Sequence, residues 1–132
     1  MGAIPEEYDD LFERKTFAHV ATLMGDGTPQ VTPVWVDYDG EYLLINTARG
    51  RQKERNLTRD PKVGVSILDP EDPYTYLSIR GEVAEITEEG AVDHIDELAR
   101  RYMDVEEYPF HDEEGGERVI VKIRLDRVIT GQ

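Results

Sequence analysis

The chain has 132 residues, with 29 acidic against 15 basic side chains and a formal net charge of −14. This length corresponds to a single domain, residues 1–132, and the acidity opposes binding to nucleic acid and to anionic membrane surfaces. Disulfides and thiol chemistry are excluded because there is no cysteine. The sequence contains no run of about 18 apolar residues, so no membrane-spanning helix is predicted.

The first half of the chain is predicted to contain one short helix and three strands. Apolar residues three to four positions apart predict the helix, whereas β-branched and alternating stretches predict the strands. An Asp-Gly pair between the second and third strands is typical of a hairpin, so the three strands are expected to form a meander. The predicted helix spans 5–14, and the strands span 17–24, 30–38 and 41–47.

The second half is predicted to alternate helices and strands. A helix follows Gly50 and stops at Asp60-Pro61, because the residue before a proline avoids helical geometry. Thr87 is expected to cap a second helix, whose apolar face contains Ala91, Ile95, Leu98, Ala99 and Tyr102. The remaining strands are predicted over 63–68, 74–86 and 118–128. About six antiparallel strands with few helices favour a small closed or split barrel.

Basic residues concentrate where the third strand meets the next helix. Small polar residues at the end of the strand, followed by a basic helix, are typical of a phosphate site, since N–H groups and the helix dipole attract anions. The alternative is a solvated basic helix face with arginines at i, i+4 spacing. Five of the 15 basic residues fall within eleven positions, namely Arg49, Arg51, Lys53, Arg55 and Arg59.

The second strand contains a proline, Pro33, that cannot donate to a strand ladder. It therefore predicts an edge strand or a bulge. An edge at this place leaves backbone groups of residues 34–36 open to a flat ring, on which Trp35 can stack. Periodicity alone favours the other interpretation, in which Trp35 belongs to the core or to a subunit contact.

The histidines show no metal-ligand spacing, so no metal site is predicted. We interpret His19 as structural, His94 as a surface group on an acidic helix, and His111 as a possible ligand contact. Because no Ser/His/Asp arrangement is present, no catalytic residue is predicted. The chemistry is then expected to belong to a bound redox cofactor that the protein only orients.

The acidity also predicts an environment. Only four of the 15 basic residues are lysines, and many acids with few lysines are typical of proteins that stay soluble in concentrated salt, where screening removes self-repulsion. The first residues lack the basic and apolar regions of a secretion signal. We therefore expect a halophilic, cytoplasmic protein.

Two sequence blocks carry a resemblance to a known family. Thr32-Pro33-Val34-Trp35, followed by Asn46-Thr47-Ala48-Arg49-Gly50, resembles the pyridoxamine 5′-phosphate oxidase-like flavin-binding split-barrel family. The most similar branch is that of the deazaflavin (coenzyme F-420)-dependent oxidoreductases. The resemblance implies a mainly β protein with a six-stranded antiparallel Greek-key split barrel of the FMN-binding type. It also implies a homodimer with two cofactor sites at the subunit interface.

The same resemblance implies the residues of the cofactor site. The ring system is expected beside Pro33, Val34 and Trp35. The ribityl and phosphate end is expected along Asn46, Thr47 and Ala48. The phosphate itself is expected at Arg51 and Lys53, with Asn56 nearby.

The implied activity is hydride transfer between reduced coenzyme F-420 and a small organic substrate. One alternative is an FMN-dependent flavin reductase or a pyridoxamine-phosphate-oxidase-like enzyme, although the residues that would bind a substrate phosphate are not identifiable. Another alternative is a non-enzymatic carrier of flavin, deazaflavin or haem. A haem would need His19, His94 or His111 as its axial ligand.

Overall fold

The computed structural model describes residues 3–110 and 116–131. His111, which the sequence marked as a possible ligand contact, lies outside them. In chain order the elements are a 3-10 helix Glu6–Glu13, β1 Phe17–Leu23, β2 Pro29–Trp35, β3 Asp37–Tyr38, β4 Tyr42–Ala48, α1 Gln52–Arg59, β5 Lys62–Asp69, β6 Asp72–Thr87, α2 Ala91–Met103 and β7 Arg118–Gly131.

The described residues contain seven strands in one antiparallel sheet, in the order β2-β1-β5-β6-β7-β4-β3. The two edges of this sheet, β2 and β3, are consecutive in the chain and only Val36 separates them. The sheet must therefore curl until its edges meet, which gives the predicted mainly β split barrel. The edge position of β2 also confirms the prediction made from Pro33.

The expected strand over 30–38 is divided, and this accounts for seven strands instead of six. Its first part pairs with β1 and its last part pairs with β4. Val36, at the division, is fully buried. Its N–H donates to the hydroxyl of Tyr102 at 3.2 Å, and its carbonyl accepts from Arg101 at 2.9 Å. Side chains of α2 thus replace the ladder bonds that the backbone gives up when the strand changes partner.

The main core fills the inside of the barrel. Alternate residues of the strands point inward, which the period of two along each strand predicts. The 3-10 helix adds Tyr8, Leu11 and Phe12 to this core. Strand residues in it include Val20, Leu43, Ile45, Val65, Ile67, Leu77, Ile79, Val121 and Ile123.

Helix α2 packs on the outside of β4 and β7, where Ala91 contacts Leu44 and Ile120. The predicted apolar face is confirmed, since its five members are all buried. The predicted cap is wrong. The helix begins after Gly90, whose φ of 74° is left-handed, while the Thr87 hydroxyl accepts the N–H of Glu89 at 3.1 Å.

Two kinds of feature are not found in the part of the chain that the structure describes. No described helix combines the length and the apolar character needed to cross a membrane. The described His, Asp and Glu side chains do not form a group of three or more arranged to hold a metal ion.

A glycine in β6 permits a close backbone approach between β6 and β7. The register shifts after Arg80, and a Cβ on Gly81 would lie 2.1 Å from the carbonyl oxygen of Arg124. We expect Gly81→Ala to lower the free energy of unfolding by about 2 kcal/mol or more, because the backbone must move to admit the methyl group. Urea unfolding measures this loss.

The matched control is Gly64→Ala in β5, where the added Cβ would meet only the Ala21 side chain at 3.8 Å. This is an ordinary contact, so the free energy of unfolding should change by no more than about 0.5 kcal/mol or rise slightly. Equal losses in the two variants would show that the β6–β7 approach is not tight.

Candidate functional site

A cavity of about 320 Å³ lies between the ends of β2 and β4, the start of α1 and the inner face of α2. We call it the site cavity. It brings together seven of the nine residues expected to bind a cofactor, namely Pro33, Val34, Trp35, Asn46, Thr47, Arg51 and Lys53. Its other lining residues are Phe17, Ile95, Leu98, Met103, Tyr108, Phe110 and Arg118.

The cationic end of the site cavity lies at the junction between β4 and α1. Gly50, with a φ of +92°, turns the chain out of the strand in a conformation that other residues rarely adopt. Arg51 then caps α1 in an extended conformation, and Lys53 lies in the first helical turn. The sequence predicted a cluster of basic residues at this strand-to-helix junction, and the family resemblance singled out these two. Both line the site cavity.

Burial lowers the pKa of Lys53, and the positive charge of Arg51 lowers it further. Both effects disfavour the protonated amine, because a charged group loses solvation and meets a like charge. A bound anion would oppose both effects by supplying an opposite charge. An anion bound beside Lys53 would therefore favour its protonated form.

The carboxylate of Glu54 already occupies part of the α1 N-terminus. It accepts the N–H of Gly50 at 2.8 Å, the hydroxyl of Thr58 at 2.8 Å and a guanidinium N–H of Arg49 at 3.2 Å. The Gly50 N–H first, and then the other donors, hold the pKa of Glu54 below its ordinary value. An anion at this end is left to the side chains of Arg51 and Lys53 more than to the helix terminus.

The hydroxyl of Thr47 is a buried polar group beside this end. Thr47 is 3% exposed, and its Oγ1 has no hydrogen-bond partner among the described residues. An unsatisfied buried hydroxyl costs free energy unless a ligand or water completes it. Although Thr47 lines the site cavity, its Oγ1 is itself shielded, and the residue follows Leu43 and Ile45 along the inward-facing side of β4.

The other two expected site residues do not line the cavity. Ala48 is fully buried, although it directly precedes the basic segment. Asn56 is also fully buried, and its amide donates to the Thr22 hydroxyl at 2.9 Å and accepts from Gln52 at 2.8 Å. The structure thus places Asn56 where it fixes α1 against β1.

Aromatic side chains form a second, largely apolar part of the cavity lining. The Trp35 ring stacks on the Tyr102 ring with 5.0 Å between centroids and an interplanar angle of 13°. Tyr108 meets Trp35 edge to face at 6.1 Å, and Phe110 meets Tyr108 in the same way at 5.5 Å. Trp35 therefore packs on α2 and also lines the cavity, while its contact with a flat ring stays a prediction.

His94 is not a surface group, and that interpretation was wrong. It is 7% exposed, its Nδ1 lies 3.2 Å from the amide nitrogen of Asn46, and its Nε2 lies 3.2 Å from a carboxylate oxygen of Asp37. A signal was present in the sequence. His94 lies three residues after Ala91 and four before Leu98, which places it on the buried face of α2.

Sequence reasoning also missed Arg118 and the cavity wall that follows α2. Arg118 begins β7 directly opposite Ala48, and its Nε donates to Asn46 Oδ1 at 2.8 Å. Its guanidinium carbon lies 5.4 Å from the centroid of the Tyr108 ring. Only the pairing of β4 with β7 brings these residues together, so the local sequence held no signal for them.

Three comparisons relate this geometry to known proteins. The family model described as Pyridoxamine 5′-phosphate oxidase matches residues 4–130. A solved structure of an F-420 reductase is 36% identical over 96% of this chain and 98% of its own, with a TM-score of 0.81. A conserved hypothetical protein, Rv2991 from Mycobacterium tuberculosis, is 28% identical over 98% of this chain and 85% of its own, with a TM-score of 0.76.

More distant structures share the fold alone. HupZ from Group A Streptococcus is 22% identical over 96% of this chain and 93% of its own, with a TM-score of 0.69. The General Stress Protein 26 from Bacillus anthracis is 18% identical over 96% of this chain and 92% of its own, with a TM-score of 0.70.

Proposed function

The chain belongs to the pyridoxamine 5′-phosphate oxidase family, and from this premise we propose that it is an oxidoreductase that transfers a hydride between reduced coenzyme F-420 and a small organic substrate. The family is one of flavin- and deazaflavin-type oxidoreductases. The choice of F-420 over FMN is supported by the similarity to the F-420 reductase, which at 36% identity spans almost the whole of both chains.

One observation carries the proposal: the site cavity has a cationic end and a largely apolar, aromatic part. Arg51 and Lys53 fit a phosphate, since Arg supplies a planar fork of donors and Lys a point charge. Asn46 and Thr47 line the cavity as well, and they fit the polar ribityl chain of such a cofactor. Pro33 and Trp35 fit the face or edge of a flat ring. This is the chemistry of a phosphorylated ring cofactor.

The protein's part in the reaction is to bind and to orient. A deazaflavin supplies the hydride chemistry when it is bound. Arg51 and Lys53 hold the anionic end, the wall that contains Trp35 fixes the ring, and the aromatic side chains exclude water, so that catalysis depends on proximity. The Val36 N–H, one of the backbone groups of residues 34–36 that the sequence left open to a ring, already donates to the Tyr102 hydroxyl.

A haem-carrier function receives no support from the described histidines. Both ring nitrogens of His94 lie at hydrogen-bond distance from Asn46 and Asp37. His19 is exposed on β1 and does not line the site cavity. A flavin or deazaflavin is therefore the ligand to test.

The deciding experiment is a fluorescence titration of the purified protein in high salt with F-420 and with FMN. Tight, selective binding of F-420, followed by turnover in a substrate screen with the reduced cofactor, is the expected result. A preference for FMN would move the protein to the flavin-dependent alternative. Binding of F-420 without turnover of any substrate would favour a carrier, and binding of neither ligand would overturn the proposal.

A homodimer is also proposed, because one exposed face of the sheet carries several large apolar side chains. Register places the exposed side chains of this face on the same side of β2, β1, β5, β6 and β7. Phe17, Pro33 and Trp35 join the face to the site cavity. Its large exposed apolar residues are Phe17, Val31, Leu68, Tyr76 and Ile129.

We expect light scattering in high salt to give the mass of a dimer, because apolar surface of this kind is normally covered in a stable assembly. Val31→Glu, which places a charge on the β2 edge of this face, where Val31 is 59% exposed, should shift the mass toward that of a monomer. A monomeric wild-type protein would contradict the shared-site arrangement and leave each cavity to a single chain.

The lowered pKa of Lys53 predicts how cofactor affinity depends on pH. An anion binds the protonated amine, so affinity is full below the pKa of Lys53 and falls as pH rises through it. This fall should begin at lower pH than for an ordinary lysine. Titrations at a series of alkaline pH values measure the effect.

The control is Lys53→Arg, because a guanidinium keeps its charge throughout this range. The alkaline loss of affinity should be absent or much smaller in this variant. The same alkaline profile in both proteins would remove Lys53 from the phosphate site.

A further inference from the structure

A chain of five polar side chains runs from the site cavity into the space between β4 and α2. Asn46 is its centre, since its Oδ1 accepts from Arg118 Nε at 2.8 Å and its Nδ2 donates to the Ala91 carbonyl at 2.8 Å. Beyond Asn46 the chain continues through His94 to Asp37, which also accepts from Arg101 at 3.0 Å. Cofactor-binding residues thus connect to buried groups that the proposed function does not use.

These contacts fix the position of every proton in the chain. A guanidinium can only donate and a carbonyl can only accept, so the Asn46 amide has one possible orientation. The second hydrogen of its Nδ2 then points at His94 Nδ1, which must carry a lone pair. The remaining nitrogen, Nε2, bears the hydrogen and donates it to Asp37.

Asp37 has the charge that this arrangement needs. Burial opposes its ionisation, but the hydrogen bonds from His94, Arg101 and the Tyr38 N–H, together with the charge of Arg101, outweigh burial and lower the pKa of Asp37. The carboxylate is therefore ionised at neutral pH and accepts from both neighbours. A hydrogen bond of this kind to one ring nitrogen selects the tautomer of a histidine.

The tautomer of His94 affects the site cavity through Arg118, which is hydrogen-bonded to Asn46. Its side chain lies on the cavity wall, and the oxygen of Asn46 is one of the partners that orient it there. If His94 Nδ1 carried a hydrogen, it would face the Nδ2–H of Asn46, and both groups would be donors. The Asn46 amide could then not keep its hydrogen bonds to both the Ala91 carbonyl and Arg118. Arg118 would then lose a partner that holds it at the cavity.

We propose that His94 is a positioning residue of the site cavity: its Nε2–H tautomer, held by Asp37, orients the Asn46 amide, and that amide holds Arg118 as a third cation for an anionic ligand. The ligand-binding part of this inference rests on the proposed function. The proton arrangement and the position of Arg118 do not, because they are properties of the free protein.

The first test uses the free protein and nuclear magnetic resonance. Long-range proton–nitrogen spectra at neutral pH should show His94 in the Nε2–H tautomer, and the Arg118 Nε–H should exchange slowly with water. In His94→Leu, which has similar volume but no polar atom, that slow exchange should disappear. An Nδ1–H tautomer in the wild type, or an unchanged Arg118 signal in a folded His94→Leu variant, would overturn the proposal.

The second test measures binding of F-420 and FMN. His94→Leu should bind the preferred ligand about tenfold more weakly, as expected when a hydrogen bond to a charged group is lost. His94→Gln, whose amide offers both an acceptor and a donor, should stay within about threefold of the wild type. Asp93→Asn, on the exposed face of the same helix, is the control and should bind like the wild type.

Rescue by glutamine separates positioning from mere packing, since leucine fills the space equally well. Equal affinity of folded His94→Leu and the wild type would sink the positioning role. If the wild type binds neither ligand, the proposed function fails, and the tautomer and the Arg118 signal still decide whether this polar chain exists.

Discussion

The double variant Arg51→Ala/Lys53→Ala should bind F-420 and FMN roughly 100-fold more weakly than the wild type. Both side chains line the cationic end of the site cavity, and each charge-assisted hydrogen bond to a phosphate contributes about 1.5–3 kcal/mol. Loss of two such bonds therefore costs about 3 kcal/mol or more, which corresponds to this change in Kd. Fluorescence titration at fixed high salt measures it.

A matched control separates the site from the general charge of the protein. Lys62→Ala/Arg124→Ala also removes one lysine and one arginine, but from exposed positions that do not line the site cavity. Its affinity should remain within about threefold of the wild type, because exposed distant charges are screened in salt. Similar losses in both double variants, or none in a folded Arg51→Ala/Lys53→Ala protein, would remove the phosphate assignment.

The local features of this site were predictable because they are encoded in short segments. Arg51 and Lys53 directly follow a strand that ends in small polar residues, so strand, turn and helix already define where their side chains converge. Pro33 predicted an edge strand for a reason that holds in any sheet, namely its missing N–H. Periodicity likewise predicted the buried face of α2.

The features that could not be predicted depend on residues far apart in the chain. The division at Val36 is visible only once α2 supplies Tyr102 and Arg101 to its backbone. Arg118 reaches the cavity through the pairing of β7 with β4, and no periodicity marks Tyr108 as part of a wall. The acidic neighbours of His94 suggested a surface position, although the helical period places this residue on the buried face of α2.

Tyr102→Ala should be the most destabilising single substitution at the site, with a loss of about 3–5 kcal/mol in the free energy of unfolding. The Tyr102 side chain is 8% exposed and stacks on Trp35. Its hydroxyl accepts the N–H of Val36 at 3.2 Å and donates to the carbonyl of Thr16. One side chain therefore ties α2 to the division between β2 and β3 and supports the apolar wall of the cavity.

Protonation of this hydroxyl is favoured by its surroundings. Burial raises the pKa of Tyr102, so the group keeps its proton and can donate to Thr16 throughout the neutral range. Tyr102→Phe removes only the two hydrogen bonds and keeps the ring. Its expected loss is about 1–3 kcal/mol, since the Val36 N–H and the Thr16 carbonyl are left without this partner.

Denaturant unfolding followed by tryptophan fluorescence gives the free energy of unfolding of both variants. The signal comes from the Trp35–Tyr102 contact itself, because Trp35 is the only tryptophan in the chain. The native emission of Tyr102→Ala should move to longer wavelength as water reaches the uncovered indole, whereas that of Tyr102→Phe should not. Tyr74→Ala is the control, with a side chain 75% exposed and an expected change within about 0.5 kcal/mol. Native emission of Tyr102→Ala identical to the wild type would show that the ring does not cover Trp35, and Trp35 would then be held at the site cavity by its strand alone.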